Sequence, residues 1–296
     1  MERIHKILSD NWAMRRQEFE NLAAVLLPSI ASGNLEAAGK AIDTKKLKPM
    51  AVKYTGDDIA TVTWLDYYWE NEIPEGSVML IKLSGALYSW ETKWLIEQIK
   101  TAERDKRICG IVLEIDGPGG MSSHVERAAG IIRNCKKPIA TVVTDLMASA
   151  HFWLGTASDR IFAASPLCEM GGVGAFITHI SFKEYFKQNG IDYRSIYPDT
   201  ADLKNKEHRA LEENGDESLF KEALEHLHNA FSNDVALQLG ITYDPELPLF
   251  RGEMFYTSEA KSLGIVDEMG EVEDAVKWVQ LQSQIQEANS FYSSNK

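Results

Sequence analysis

The sequence has few cysteines and no long apolar run. Its three cysteines, Cys109, Cys135 and Cys168, are an odd number without a Cys-x-x-Cys pair, so we expect reduced thiols of a cytosolic protein and no zinc site. The longest apolar run near the start, residues 22–31, is interrupted by Pro28 and is too short to span a bilayer. The N-terminus lacks a signal-peptide layout, so the sequence predicts a cytoplasmic protein without a membrane partner.

Positive charge is also scarce. The 296 residues carry 31 Lys and Arg against 44 Asp and Glu, a formal net charge of −13. In so acidic a chain no basic face could easily dominate, and nucleic acid is therefore not an expected partner. A hydrophobic content of 44% and a charged content of 25% are typical of a soluble globular protein. The length allows one large or two modest domains, and no cofactor or metal is expected.

Hydrophobic periodicity divides the chain into three parts. Apolar positions at helical spacing over residues 1–31 and about 35–42 predict a helical N-terminal extension, followed by an acidic and aromatic linker to residue 75. The aromatic residues at 64–69 are predicted to pack on the chain's own core, with an interface to a neighbouring subunit as the alternative. Residues 76–288 form the predicted main domain, and residues 289–296 a polar, frayed tail.

In the main domain, predicted strands and helices alternate. This alternation implies parallel strands with helices on the faces, an α/β core. The strands are predicted at residues 78–83, 108–115, 138–144 and 160–164, with 171–174 and 193–197 extending the sheet. The helices are predicted at residues 91–106, 122–135, from 149 onward, 204–239, 252–264 and 271–288.

Ser149 lies where the predicted strand at 138–144 turns directly into a helix. The first N–H groups of a helix have no partner within it, and the small neighbours Ala148 and Ala150 let another backbone approach. A serine in this position resembles a nucleophile beside donors that can hold negative charge. The alternative is that Ser149 serves only as a helix N-cap.

A glycine-rich loop, Asp116-Gly-Pro-Gly-Gly-Met121, follows the strand at 108–115. Ligands of open α/β sheets bind beyond the carboxyl ends of the strands, which is where this loop lies. Gly119 and Gly120 permit close backbone approach, so their N–H groups can be directed at an oxygen. A simple tight turn and a phosphate cradle are the alternatives, although no Gly-Lys-Ser/Thr or Gly-x-Gly-x-x-Gly is present.

Four ordered blocks occur at residues 116–120, 148–152, 161–166 with 171–174, and 250–267. Together they resemble the signal peptide peptidase A family of serine proteases, family S49, and its phage capsid-assembly branch. The resemblance covers roughly residues 78–276 and implies a ClpP/crotonase-like fold and a serine endopeptidase. The sequence departs from the family pattern at Gly117, where serine is common, and at His151-Phe152, which replace a small residue and tyrosine. Gly172-Val173 stands where serine–isoleucine is common.

The resemblance also implies a Ser-Lys dyad, because in that family a lysine about fifty residues downstream activates the serine. Lys204 is our choice for this base and Lys206 the competitor; Leu203 suggests a partly buried setting for Lys204. A lysine that serves near pH 7 needs its pKa lowered by about three units, which desolvation and nearby cations could supply. A histidine base is the alternative, from His124, His179 or His208. His151 is only two residues from Ser149, so on a helix we expect its side chain to point away from the site.

In this interpretation, Ser149 forms an acyl-enzyme with a polypeptide substrate. The oxyanion hole consists of the N–H groups of Gly119, Gly120 and Ala150. The substrate lies extended beside residues 119–121 and 171–174 and pairs with them as an added strand. The residues predicted to bind it are Met121, Gly172, Val173 and Gly174.

The same resemblance suggests the partners and the biological setting. Family members assemble into rings or domes, some with sites completed by a neighbour, so a homo-oligomer is expected. The chain shows no membrane anchor, which favours a phage or prophage protease that cuts scaffold and capsid proteins in the host cytoplasm or prohead. The alternatives are a cytoplasmic protein-degrading protease of the signal-peptide-peptidase type, a non-hydrolytic crotonase-like acyl-CoA enzyme, and an inactive scaffold.

Overall fold

A nine-stranded mixed sheet forms the centre of the chain in our computed structural model, which describes residues 12–14, 48–56, 59–63, 73–179, 181, 183–192 and 194–294. A separate two-stranded sheet pairs β1 (Trp12–Met14) with β6 (Gly119–Met121). The strands of the large sheet are β2 (Met50–Tyr54), β3 (Ile59–Thr63), β4 (Ser77–Ser84), β5 (Ile108–Gly117), β7 (Ile139–Ala148), β8 (Arg160–Ala163), β9 (Glu169–Gly171), β10 (Met254–Tyr256) and β11 (Glu268–Met269).

The parallel strands β4, β5 and β7 lie at the middle of the sheet. Their sequences are near-continuous apolar runs, as expected for strands that are covered on both faces. Strand β7 pairs with β8 along its first half and with β9 at its carboxyl end, both in parallel. Antiparallel strands lie at both ends of the strand order, with β2 and β3 at one edge and β10 at the other, while β11 pairs in parallel with β8.

Helices cover both faces of the sheet and bury two hydrophobic clusters. One cluster lies between the sheet and α8, where Val276 and Val279 pack on Val78 and Val112. The larger cluster lies on the opposite face, which confirms the predicted α/β core. The helices are α1 (Ser89–Arg104), α2 (Val125–Arg133), α3 (Ala150–Gly155), α4 (Lys183–Gln188), α5 (Lys206–Asn214), α6 (Ser218–Leu239), α7 (Thr257–Ser262) and α8 (Val272–Ser294).

The N-terminal part differs from the helical extension that periodicity predicted. Trp12–Met14 is a strand, because its backbone groups pair across to residues far along the chain. Strands β2 and β3 lie within the predicted linker and extend the sheet past the expected boundary at residue 76; Ala51 and Val52 bury their side chains there. The predicted helix at 35–42, the rest of the helix at 1–31 and the aromatic residues at 64–69 lie outside the described residues.

Three further predictions are wrong in detail. The helix predicted over 204–239 is two helices, because Gly215 ends α5 in the left-handed conformation (φ 67°) and its N–H bonds to Leu211 O. Residues 194–197 are not a strand, and Ile196 is 90% exposed. Helix α8 continues to Ser294, past the predicted start of the frayed tail at residue 289.

None of the helices among the described residues is long and apolar enough to cross a membrane.

Candidate active site

Ser149 lies at the junction of β7 and α3 in an uncommon backbone conformation. Its φ of 55° and ψ of −115° cost a non-glycine residue about 1–3 kcal/mol. Bonds on both sides hold this conformation: the Ser149 N–H donates to Gly171 O at 2.8 Å, and Ser149 O accepts from the Trp153 N–H at 2.9 Å. A sharp strand-to-helix turn of this kind presents the nucleophile of several hydrolase folds.

The side chain of Ser149 does not act as a helix cap. Although the residue occupies the N-cap position of α3, it makes no side-chain capping hydrogen bond. Its hydroxyl instead donates a long bond of 3.4 Å to Gly174 O, and the residue is 4% exposed. The N-cap alternative therefore explains the position of the serine but not the direction of its hydroxyl.

The carboxyl end of β9 approaches Ser149 closely because it contains glycine. A Cβ on Gly172 would lie 3.5 Å from Ser149 N and 3.2 Å from Met254 Sδ. The Gly172 N–H donates to Glu253 O at 2.9 Å, which ties this segment to the start of β10. Of the residues predicted to bind substrate here, Gly172 and Gly174 are half-buried, whereas Val173 is 1% exposed and packs in the larger core cluster.

The glycine loop contacts a buried histidine, His151, that we had not expected at the site. We expected His151 to point away from the site, but its Nδ1 accepts the Gly119 N–H at 3.1 Å. A Cβ on Gly117 would lie 2.4 Å from His151 Cε1, so the imidazole fills the space that a side chain at 117 would need. Burial lowers the pKa of His151 to about 4, which keeps Nδ1 unprotonated and able to accept.

Gly120 lies between two backbone segments. A Cβ on this residue would meet Leu87 O at 1.9 Å, so glycine is required at this position. Gly119 O and the Met121 N–H both bond to Leu87, at 2.8 Å each. Because alternate residues of a strand direct their backbone groups to opposite sides, the N–H and C=O of Gly120 face Ala13 of β1. Met121, the remaining residue of β6, is fully buried.

The three predicted oxyanion donors therefore differ in their present partners. His151 holds the Gly119 N–H, and strand β1 lies opposite Gly120. Ala150 is the first residue of α3, where a helix has no carbonyl of its own to offer the amide. The Ala150 N–H is thus the donor that the helix itself leaves unpaired, directly after Ser149.

Lys204 lies on the surface, contrary to the partly buried setting that Leu203 suggested. Lys204 is exposed, Leu203 is 70% exposed, and the competitor Lys206 is also exposed at the start of α5. Among the described residues, the Lys204 ammonium group has no hydrogen-bond or ion-pair partner, and the Ser149 hydroxyl bonds to Gly174 O rather than to a lysine. Within the described part of one chain, the dyad is not assembled by a hydrogen bond.

The remaining candidate groups are two histidines and the three cysteine thiols. His179 and His208 are exposed and lie with ring centroids 6.2 Å apart. Cys109, Cys135 and Cys168 are unbridged thiols, and burial raises the pKa of each. In the part of the chain that the structure describes, no group of three or more His, Cys, Asp or Glu side chains is arranged to hold a metal ion.

Comparison with known proteins gives one family and several distant relatives. The sequence model of "Peptidase family S49" matches residues 132–286, slightly more than half of the chain. A protein of Enterococcus faecium named as a candidate signal peptide peptidase SppA is 24% identical over 198 residues, which are 65% of this chain and 56% of that protein. The chloroplastic serine protease SPPA of Arabidopsis thaliana is 24% identical over 186 residues, 62% of this chain and 27% of that protein.

A phage protein is among the relatives as well. The capsid assembly protease C of Escherichia phage lambda is 23% identical over 188 residues, 62% of this chain and 41% of that protein. The matched region thus covers about half or less of these relatives. The relatives include both the signal peptide peptidase A type and the capsid-assembly type, as the sequence blocks predicted.

Proposed function

The chain belongs to peptidase family S49 with a ClpP/crotonase-like core, and from this we propose that it is a serine endopeptidase whose nucleophile is Ser149. The observation that carries the proposal is the backbone of this residue. A buried serine is held at φ 55° on a strand-to-helix turn, and its hydroxyl makes no capping bond. Strain of this kind persists where the surroundings impose it, which is typical of active sites.

The proposed base is the amine of Lys204. In its neutral form it takes the proton of the Ser149 hydroxyl while the oxygen attacks the peptide carbonyl. The amide bond then breaks, the leaving amine receives that proton, and water later releases the acyl group from Ser149. The N–H groups of Ala150 and Gly120 stabilise the negative oxygen, because the Gly119 N–H is already bonded to His151. Removing one such donor typically costs about a hundredfold or more in rate.

We propose that a second copy of this chain supplies Lys204. Residues 183–214, which carry α4 and α5, contain no buried side chain in either helix. This arm exposes large apolar side chains that a monomer would not keep in water. They are Tyr185, Ile191, Ile196 and Leu203, with exposed fractions of 56, 52, 90 and 70%. Docking of the arm on a neighbour would cover these side chains and remove Lys204 from water.

For the substrate we propose polypeptides processed during phage head assembly, such as scaffold or capsid proteins. The relative from phage lambda, named as a capsid assembly protease, supports this assignment. The relative from Enterococcus faecium favours the second candidate, a peptidase of the signal-peptide-peptidase type. The surplus of acidic residues gives little support to the acyl-CoA alternative, which needs a basic surface for the cofactor.

Cleavage of casein by the full-length chain tests the proposal. We expect Ser149→Ala and Lys204→Ala each to lower the rate by about a thousandfold or more, because the two groups act as a unit. Lys206→Ala is the matched control, from the neighbouring exposed lysine, and it should retain activity. Equal cleavage by wild type and Ser149→Ala would exclude the mechanism. Loss of activity in Lys206→Ala but not in Lys204→Ala would move the base to Lys206.

A further inference from the structure

We propose that strand β1, Trp12–Met14, is a self-masking strand that occupies the place of an extended substrate. The proposal rests on the function proposed above and deepens it, since it names what blocks the site and what kind of peptide the site accepts. Substrate is predicted to lie between two segments, the glycine loop at residues 119–121 and the end of β9 at residues 171–174. In the structure β1 pairs with β6 of the glycine loop on one side and with Phe176, just past residues 171–174, on the other.

Both edges of β1 are paired in the manner of an inserted peptide. On one side, β1 runs antiparallel to β6, with Trp12 opposite Met121 and Met14 opposite Gly119. On the other side, the Trp12 N–H donates to Phe176 O at 3.1 Å, and the Phe176 N–H donates to Trp12 O at 2.9 Å. Main-chain pairing of this kind is the mode by which an extended peptide adds to an exposed sheet edge, and the bridge to Phe176 holds the strand from its other side.

The register places β1 on the groups that a substrate would need. Trp12 directs its N–H and C=O to Phe176, so the groups of Ala13 face Gly120 and complete a hydrogen-bonded pair. The Gly120 N–H, a predicted oxyanion donor, is therefore directed at β1. A substrate strand that pairs with this edge has to displace β1 first.

The side chains of β1 show which peptides fit. Trp12 and Met14 are 1% and 5% exposed, and alternate residues of a strand lie on the same face. The Trp12 ring packs edge-on to Tyr88 with 6.5 Å between ring centroids. The site thus accepts large apolar side chains at two alternating positions of an extended chain, and we assign substrates of this pattern to it.

A reversible disulfide tests whether β1 blocks the site. Trp12 and Met121 are a non-hydrogen-bonded antiparallel pair, whose Cα separation of about 4.5 Å suits a disulfide. In the full-length double variant Trp12→Cys/Met121→Cys we expect the oxidised form to cleave casein at least about tenfold more slowly than the reduced form. Trp12→Cys alone is the control and should not respond to oxidation. Equal rates in both redox states, with the disulfide verified by mass spectrometry, would overturn the proposal.

A second variant loosens the strand instead of locking it. Ala13→Pro removes the N–H that pairs with Gly120, so kcat/KM for casein should rise several-fold through a lower KM. An unchanged or lower kcat/KM in a protein with wild-type circular dichroism would mean that β1 is a permanent structural strand. This variant decides the question if the disulfide pair does not fold.

Peptide binding separates this proposal from the proposed function. The probe is a fluorescein-labelled peptide with the sequence of residues 8–18, added to the full-length Ala13→Pro/Ser149→Ala protein, and binding is measured by fluorescence anisotropy. We expect it to bind at least about tenfold more tightly than the same peptide with alanine at positions 12 and 14. Equal binding of the two peptides would contradict the proposal. A wild-type protein that does not cleave casein, together with selective peptide binding by this variant, would contradict only the hydrolytic function.

Discussion

At the scale of single residues, two departures from the family pattern form one adaptation. The resemblance described above marks Gly117 and His151 as the two departures. The structure places the imidazole where the side chain of residue 117 would be, with Nδ1 on the Gly119 N–H. Because the two residues share one space, the histidine can enter only when residue 117 has no side chain. The histidine then fixes the glycine turn through its bond to the Gly119 N–H.

The neutral state of His151 predicts a pH-dependent stability. Burial lowers the native pKa to about 4, while the unfolded value is about 6.5, so only the unfolded chain takes up this proton between those values. The stability is therefore full above pH 6.5 and falls as the pH decreases towards 4. From pH 7 to 4.5 the loss from this residue is about 2–3 kcal/mol.

Urea unfolding of wild type and His151→Gln at both pH values measures this loss. The variant should lack the His151 contribution and show a correspondingly smaller decrease on acidification. His226→Gln, at an exposed position of α6, is the control and should behave as wild type. The same decrease in wild type and His151→Gln would show that the histidine does not titrate as its burial requires.

At the scale of elements, helix α6 braces the short nucleophile helix α3. The ring of Trp153 stacks on Phe231 with centroids 4.4 Å apart, and its Nε1–H donates to Asp234 Oδ2 at 2.9 Å. Asp234 also accepts from Arg133 Nη1 at 2.9 Å, so α2, α3 and α6 meet at one carboxylate. A six-residue helix has little stability of its own, which makes this bracing necessary.

Replacing that carboxylate should loosen the nucleophile helix. Asp234→Ala leaves two donors without a partner, and we expect it to lower the free energy of unfolding by about 2–3 kcal/mol. Asp234→Asn keeps an acceptor for Trp153 and should cost less. Lys221→Ala, which removes an exposed pair between α6 and its N-cap residue Glu217, should change stability by about 0.5 kcal/mol at most. Chemical denaturation gives the order, and an equal cost for Ala and Asn would contradict the bracing role.

At the scale of the whole molecule, Ser149 is buried in the core while Lys204 is exposed on an arm without a core of its own. A proton cannot pass directly between two groups that do not come within hydrogen-bond reach. Assembly of two copies, with the arm of one against the site of the other, would bring them together and cover the apolar side chains of the arm.

Mixing two inactive variants tests this arrangement. If the site combines two subunits, Ser149→Ala and Lys204→Ala proteins that exchange subunits should regain about a quarter of the wild-type activity, because random pairing restores about that share of sites. Ser149→Ala mixed with the double variant Ser149→Ala/Lys204→Ala is the control and should stay inactive. No recovery in a mixture that has exchanged subunits would place both residues in one chain, and a gel-filtration mass of a single chain would remove the assembly itself.

The sequence by itself determined the elements of the α/β core and the position of Ser149. Apolar runs and glycine turns are local signals, and they predicted β4, β5 and β7, the helices between them and the turn that carries the serine. Turn chemistry also carried a signal that we missed: Gly215 followed by Asp216 marks the break between α5 and α6. The domain boundaries and the dyad are still predictions.

Only the tertiary structure decided what pairs with the site. The bond between His151 and Gly119 joins residues 32 apart, and β1 pairs with residues more than one hundred positions away. Helical periodicity in residues 1–31 could not indicate this strand, because its conformation comes from backbone groups of β6 and Phe176 rather than from its own side chains. Likewise, the apolar Leu203 suggested that its surroundings are buried, but this side chain is exposed. Burial requires another surface to reach that position, and the local sequence does not show whether one does.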